Sequence, residues 1–596
     1  MKLRNLGLSA ALLSLGVLSS QALALEKAVM QTRLAASEPV QFNLYLPILH
    51  RDQLETDLTA MHTPGSPTYH KWLTPAQFDE RYAATPAQIN AIVTQLKGLG
   101  LQATPVAGHR IHVSGTATAI EKAFSTTLFH AAYQNGNATI MSAHTIATTG
   151  AMQQAGAIVT GLSGTIRMHS FARKTAAPAP DNRYSAEGPY WFDDLKQAYS
   201  YPSYTLYNGT GTTIGILMSN NFKQSDMDLY FNHEKLVSPS FTTINVDGGA
   251  PFDANNSLET QLDMQQSGGM APMAMVLLYN VPDLSDDSIM DGLSQILTDN
   301  KTDVVNMSFG EAELFYTAAD NDGEDFTYLP KEEDDLFAQG NAQGITFVAS
   351  SGDSGALAAV PIACFNFQPA CGAFQLSVNF PASSPHVVGV GGTNLKTTYF
   401  PSSPYTGYIS EEANADPLSE DIFYGTSATG GYWGSGGGTS ILFARPAFQV
   451  GTNTGSTTFR TVPDLALHMG GCPGGVVGTC NPLDSADLEV LNGILYGVIG
   501  TSASSPDFTG LIALGVQEYG TRLGNANYYV YELAQAQAAG TISGVFRQGQ
   551  PGFNGYYHTT STGYNRVLGN GTVIGMGFLL NPTAPVAGIP QSPSNP

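Results

Sequence analysis

Charge is scarce in this chain. Only 12% of its 596 residues are Asp, Glu, Lys or Arg, about half the usual share. Cations are the rarer sign, with 25 Lys and Arg against 48 Asp and Glu and a net charge of -23 at pH 7. A chain so acidic lacks the basic face that nucleic acid or an anionic membrane would need. Cysteine is almost missing, at four residues, and no Cys-x-x-Cys spacing suggests a structural zinc site. After Leu18 no apolar run reaches the roughly 20 residues of a membrane span. There is no internal repeat, and none of the histidines after residue 180 (His233, His386, His468 and His558) sits in a His-Gly-Thr segment opening a helix.

The N-terminus reads as an export signal. Lys2 and Arg4 precede the apolar stretch Leu6 to Leu18, and Ala22-Leu23-Ala24 is a small-x-small cleavage site. Residues 1–24 are therefore predicted to be removed, which puts the protein outside the cell or in the periplasm. There disulfides are permitted, and the local couples Cys364 with Cys371 and Cys472 with Cys480 predict two short-loop bridges.

With 64 Gly and 34 Pro, the composition fits a loop-rich globular protein, and the length calls for at least two domains. Lys174-Thr175-Ala176-Ala177-Pro178-Ala179-Pro180 breaks the periodicity as an exposed linker would. Residues 25–180 hold 11 Lys and Arg against 8 Asp and Glu, a net of +3; residues 181–596 hold 12 against 40, a net of -28. Thr85 to Leu99 and Ala117 to Phe124 have helical spacing and Ile111 to Val113 reads as a strand, so the first part is a small α/β domain. In the second part, the continuous apolar runs Thr213 to Met218, Met275 to Leu278, Val304 to Met307, Ile345 to Ala349 and Val387 to Val390 predict a largely parallel sheet. The Asn-x-Ser triplet at Asn306 lies in one of these buried strands and is set aside. Residues 581–596 hold five prolines and read as a disordered tail after a second domain over 181–580.

Gly500-Thr501-Ser502-Ala503-Ser504-Ser505-Pro506 puts a serine ahead of the apolar run Phe508 to Val516. A serine there meets the free N–H groups and positive dipole end of a helix, which favour developing negative charge. Its hydroxyl still needs a base. Glu259 and Asp263 lie four apart on a helix opening at Ser257, whose buried side carries Leu258, Leu262 and Met264. On their own they read as a solvated acidic face, as does Glu332-Glu333-Asp334-Asp335 as a solvated loop. Asp353, in Ser350-Ser351-Gly352-Asp353-Ser354-Gly355, follows a predicted strand, where doubly wound sheets gather functional residues.

Taken together, Ser502, the Glu259/Asp263 pair and Asp353 resemble the sedolisin family of serine-carboxyl peptidases. Phe380-Pro381-Ala382-Ser383-Ser384-Pro385, Gly436-Gly437-Gly438-Thr439-Ser440, Val462-Pro463-Asp464 and Gly500-Thr501-Ser502 resemble its core, and Tyr69-His70-Lys71-Trp72-Leu73-Thr74 its propeptide. The resemblance implies an α/β architecture: a subtilisin-like catalytic domain behind a small α/β, ferredoxin-like propeptide. It also implies Ser502 as nucleophile, Glu259 as general base backed by Asp263, and Asp353 at the oxyanion hole. A carboxylate base keeps accepting protons in acid, where a histidine does not. The expected partners are polypeptide substrates and the chain's own propeptide, the expected state a monomer, with self-cleavage near 174–190. Whether it cuts as an endopeptidase or a tripeptidyl peptidase stays open, as does the reading of a binding protein on the same fold. An esterase is disfavoured, because Ser502 lacks a Gly-x-Ser-x-Gly elbow. Two departures from the family stand out. Thr559 and Gly571 occupy positions where the family carries calcium-binding aspartates, so no metal is expected. In Met307-Ser308-Phe309-Gly310, Phe309 replaces a common tryptophan.

Overall fold

The computed structural model describes residues 28–106, 109–132, 138–164, 168–175, 178–179, 183–321, 323–359, 375–401, 405–413, 433–471 and 485–580. The predicted export signal, both cysteine couples and the proline-rich tail lie outside these residues.

The second part is built on one ten-stranded sheet. Ser240–Asn245, Met275–Val281, Thr213–Ser219, Val304–Met307, Thr346–Ser350, Val387–Thr397, Leu465–His468 and Thr572–Val573 lie side by side in that order, every neighbouring pair parallel. Phe546–Arg547 closes one edge antiparallel, and Tyr408–Ala413 pairs off the path with Val387–Thr397. All five apolar runs singled out in the sequence are strands of this sheet, buried on both faces except at the outer ends Thr213 and Met275, because helices cover each side.

Two of those helices carry the site. The serine helix, Thr501–Tyr519, is buried from Thr501 to Val516. The acid helix, Leu258–Met270, is buried from Glu259 onward all round, not on one stripe. They approach closely because Gly510 has no side chain; a Cβ there would sit 2.4 Å from Met270 Cβ. Lys196 Nζ, buried, donates to the Met270 carbonyl at 2.9 Å and caps the acid helix at its negative end.

The first part has a four-stranded antiparallel sheet, Gln102–Val106, Arg110–Thr116, Pro39–Tyr45 and Ile158–Thr160 in that order, and a separate three-stranded sheet. Thr74-Pro75-Ala76-Gln77 and Thr85-Pro86-Ala87-Gln88 each open a helix with a capping box and proline in the first turn. This part docks onto the helix Tyr328–Ala342. Arg51 pairs with Asp334 at 2.7 Å and with Asp335, Leu73 N donates to the Ala342 carbonyl at 2.8 Å, and His62 Nε2 accepts from Asn525 N at 2.8 Å. The solvated-loop expectation for Glu332 to Asp335 is thus overturned. These residues are helical, and Glu332, Glu333 and Asp334 are buried.

Candidate active site

The serine helix begins at Gly500, whose φ of +142° lies where only glycine is at ease. A Cβ at Gly500 would stand 2.8 Å from Asp353 Oδ2, 3.2 Å from the Phe171 carbonyl oxygen and 3.4 Å from Ala172 Cα. Glycine here lets three things converge: the start of the serine helix, the Asp353 carboxyl and a segment from the first domain.

Ser502 sits in the first turn of that helix. Its Oγ is buried with no hydrogen-bond partner, yet it is near enough to Glu259 to pull that carboxyl's pKa down. Glu259 and Asp263 are both buried, which overturns the solvated acidic face. Burial first, then the neighbouring Asp263 charge, pushes Glu259 well above the ordinary carboxylate range; burial does the same to Asp263. Glu259 Oε1 and Asp263 Oδ2 have no partner. Two adjoining buried carboxyls cannot both ionise cheaply, so the pair holds one proton and carries at most one charge over a wide pH range.

Two residues that the sequence reading missed hold Asp263 in place. Ser308 Oγ donates to Asp263 Oδ1 at 2.6 Å, and Asn306 Nδ2 donates to Ser308 Oγ at 2.9 Å. Ser505 Oγ and Thr509 Oγ1, on the serine helix, donate to Asn306 Oδ1 at 2.6 and 3.2 Å. One chain of hydrogen bonds thereby ties the serine helix to the acid pair. The triplet at Asn306, set aside in the sequence, gave no sign that its amide is buried at the centre of this chain of bonds.

Asp353 stands on the other side of Gly500. Its Oδ1 accepts from both the N–H and the hydroxyl of Thr501 at 2.7 Å, while Oδ2 has no partner. Burial raises its pKa to about 6, against the pull of Thr501, Arg173 and His169. Below that pH Asp353 is neutral and can donate a hydrogen bond from Oδ2.

Residues 168–175 thread this site. Ser170 and His169 pair antiparallel with Phe309 and Gly310 on one side of Ser502; Arg173 and Lys174 pair antiparallel with Ile499 and Val498 on the other. Between them, Ala172 N donates to Glu259 Oε2 at 2.9 Å. The stretch from Lys174, read as an exposed linker, therefore begins as a paired strand inside the cleft.

Comparison with known proteins decides the lineage. Residues 26–164 match the family model described as "Pro-kumamolisin, activation domain", and residues 248–549 that of the "Subtilase family". Xanthomonalisin of Xanthomonas sp. is 28% identical over 91% of this chain and 65% of its own length; sedolisin of Pseudomonas sp. is 28% identical over 91% and 86%. A solved Pseudomonas sedolisin, titled as complexed with pseudo-iodotyrostatin, matches at a TM-score of 0.51 and 27% identity, over 67% of this chain and 96% of that one. The chain belongs to the sedolisin family.

In this sedolisin-family chain the serine lies at a helix start, and no histidine among the described residues bonds to it. His468 is structural: Nδ1 accepts from Leu395 N at 3.1 Å, Nε2 bonds to the Ser485 carbonyl at 3.0 Å, and burial lowers its pKa to about 3. His386 is spent on Asp334, at 2.9 Å. The residues at the family's calcium positions do not fit a hard cation. Thr559 bonds to the Gly552 carbonyl, and a Cβ at Gly571 would lie 2.1 Å from the Arg547 carbonyl oxygen, so an aspartate could not enter without moving the chain.

Proposed function

We propose that this is an acid-active serine-carboxyl endopeptidase, exported and made as a self-processing zymogen. Ser502 is the nucleophile, Glu259 the general base, Asp263 the group behind that base, and Asp353 the donor at the oxyanion hole. The observation that carries the reading is a buried serine hydroxyl at a helix N-terminus facing a buried carboxyl pair with one oxygen of each unpartnered.

Ser502 Oγ attacks the substrate carbonyl carbon as its proton passes to Glu259. The oxyanion gathers at Asp353 Oδ2, whose proton is held below about pH 6, where an uncharged carboxyl donates as an ionised one cannot. Glu259 then gives its proton to the leaving amine, and water, deprotonated by the same group, releases the acyl enzyme. In the zymogen the linker itself keeps water from Glu259. Its departure lets solvent in and brings the pair's first ionisation down toward acid pH.

Endopeptidase action is favoured over tripeptidyl release because residues 168–175 run through the cleft and continue on both sides of Ser502. The docked first domain, with its own chain lying over the nucleophile, suits an inhibitory propeptide. Acid loosens this docking unevenly. Burial would raise Asp334, but His386 and Arg51 outweigh it and hold this carboxyl well below its usual range, so the Arg51–Asp334 pair survives at pH 3–4. Asp335 and Asp287, raised by burial, are the interface carboxyls that acid neutralises first.

Proteolysis of a denatured protein from pH 2 to 8 tests the reading: activity is confined to acid and fades as Asp353 ionises. A maximum above pH 7 overturns it. Asp353→Ala lowers kcat at pH 4 by about 10²- to 10³-fold, the cost of one oxyanion donor, with KM little changed. We further propose that the enzyme works without calcium, so that a chelator such as EDTA leaves the rate and the melting temperature where they were.

A further inference from the structure

The path of residues 168–175 has a register. Ala172 N donates to Glu259 Oε2 at 2.9 Å, and the Phe171 carbonyl oxygen and Asp353 Oδ2 both approach Gly500, at 3.2 and 2.8 Å from where its Cβ would stand. A general base that becomes the acid must reach the leaving nitrogen, and an oxyanion donor must reach the carbonyl oxygen. Both conditions meet at one bond, Phe171–Ala172. The Phe171 ring packs against Gly310, where a Cβ would come within 3.0 Å of it, so the position before the cut takes an aromatic side chain over bare backbone.

The residues after the cut are less expected. The Arg173 guanidinium carbon stands 4.8 Å from the centroid of the buried Trp433 ring, and Lys174 Nζ stands 4.6 Å from that of Tyr496. Trp433 lies just before Gly436-Gly437-Gly438 in the chain; Tyr496 lies on the strand Ile494–Ile499 that leads into the serine helix. Two successive cations each face an aromatic ring. An enzyme working in acid cannot rely on carboxylates to select cations, since acid neutralises them. An aromatic face does not titrate and attracts a cation at any pH.

We infer that the cleft selects peptides with an aromatic residue before the cut and basic residues at the second and third positions after it, Trp433 and Tyr496 being the specificity-determining residues, and that Phe171–Ala172 is the chain's own first example. This rests on the peptidase reading above. In the self-cut, Ser502 Oγ bonds to the Phe171 carbonyl carbon, the Phe171–Ala172 bond breaks, Ala172 leaves as a free amine carrying the proton from Glu259, and water converts the Phe171 ester to a carboxylic acid. It places self-cleavage just before the 174–190 stretch expected from the sequence.

The test uses the acid-activated full-length enzyme at pH 4 with end-blocked peptides containing His-Ser-Phe-Ala-Arg-Lys or His-Ser-Phe-Ala-Ala-Ala, the cut bond located by mass spectrometry. The first peptide is cut after Phe with kcat/KM about 30- to 100-fold above the second, consistent with two cation–aromatic contacts. In Trp433→Leu, replacing only the Arg no longer matters, while replacing only the Lys still does; Tyr496→Leu shows the reverse. Equal rates for the two peptides, or cutting at another bond, overturn the inference while acid proteolysis lost in Ser502→Ala leaves the peptidase reading standing. Failure to cut both these peptides and a denatured protein at every pH overturns both.

Discussion

Ser502→Ala will lower proteolysis at pH 4 by about 10⁶-fold, the scale on which a subtilisin-type enzyme loses its nucleophile, and the precursor will stay uncut through acid incubation. The size follows from how the site is built. The machinery is placed around one oxygen: Ser502 stands in the first turn of the helix that begins at Gly500, Glu259 is close enough to feel it, and Asp353 Oδ2 approaches Gly500. The nearby Ser504 and Ser505 cannot stand in, because their hydroxyls are already donated to the His468 carbonyl and to Asn306.

Glu259→Gln gives a comparable loss, since an amide keeps the hydrogen bond from Ala172 but accepts no proton. Asp263→Asn is milder, about 10⁴-fold by analogy with the loss of an orienting carboxylate. It keeps the Ser308 contact while removing the charge that lifts the Glu259 pKa. The diagnostic readout is the pH profile. Asp263→Asn moves the acid limb of kcat/KM to lower pH, because the remaining carboxyl no longer shares its proton. Single-turnover rates for the three variants, with circular dichroism to show retained folding, settle the order. If Asp263→Asn equals wild type across the profile, Asp263 has no part in tuning the base.

Much of this site can be read from the chain, but not its physics. The sheet strands announce themselves because a strand buried on both faces must be apolar throughout; Thr213 to Met218 and Val304 to Met307 have no other sensible fate. Ser502 is legible because a glycine, a small polar run and an apolar helix must occur together to start a buried helix. What the chain conceals is which polar residues are dry. Glu259, Asp263 and Glu332 to Asp334 look like residues meant for water, and only the packing of helices on both sides of the sheet reveals otherwise. Asn306 and Ser308 are equally mute, as their role exists only once the serine helix lies over their strand. The path of residues 169–174 is hidden for a related reason: two-residue strands are specified by the edges they join, not by their own sequence.

The dry carboxyls carry the second large effect: the folded zymogen should lose about 3 kcal/mol of stability between pH 6.5 and pH 8, estimated from shifts of about 1.4 kcal/mol per pH unit. Asp286, buried beside Glu333 and Tyr316, is raised to about 8 chiefly by burial. Its unfolded value is near 4, so over this window the native state holds a proton that the unfolded state has lost, and stability falls as pH rises. Glu332, Glu333, Asp487, Glu489 and Asp507 are raised by burial and act in the same direction. His386 joins them. Despite its burial, Asp334 and Glu55 raise it to about 9, so the stability it lends is complete below about 6.5 and drains away toward 9. Lys196 opposes them over the last unit, since burial lowers it to about 7 and unfolding then takes up a proton. Below pH 6.5 the balance shifts: His62 and His109, lowered to about 4 by burial, favour the unfolded state as pH falls from 6.5 toward 4. The prediction is therefore confined to the neutral side. Melting temperatures of the Ser502→Ala chain, which cannot digest itself, should drop by several degrees from pH 6.5 to 8. Asp286→Asn, which imitates the neutral acid and still accepts from Tyr316, should recover part of that drop at pH 8 and change nothing at pH 6.5. A flat profile in both chains would mean that these carboxyls reach water and ionise freely.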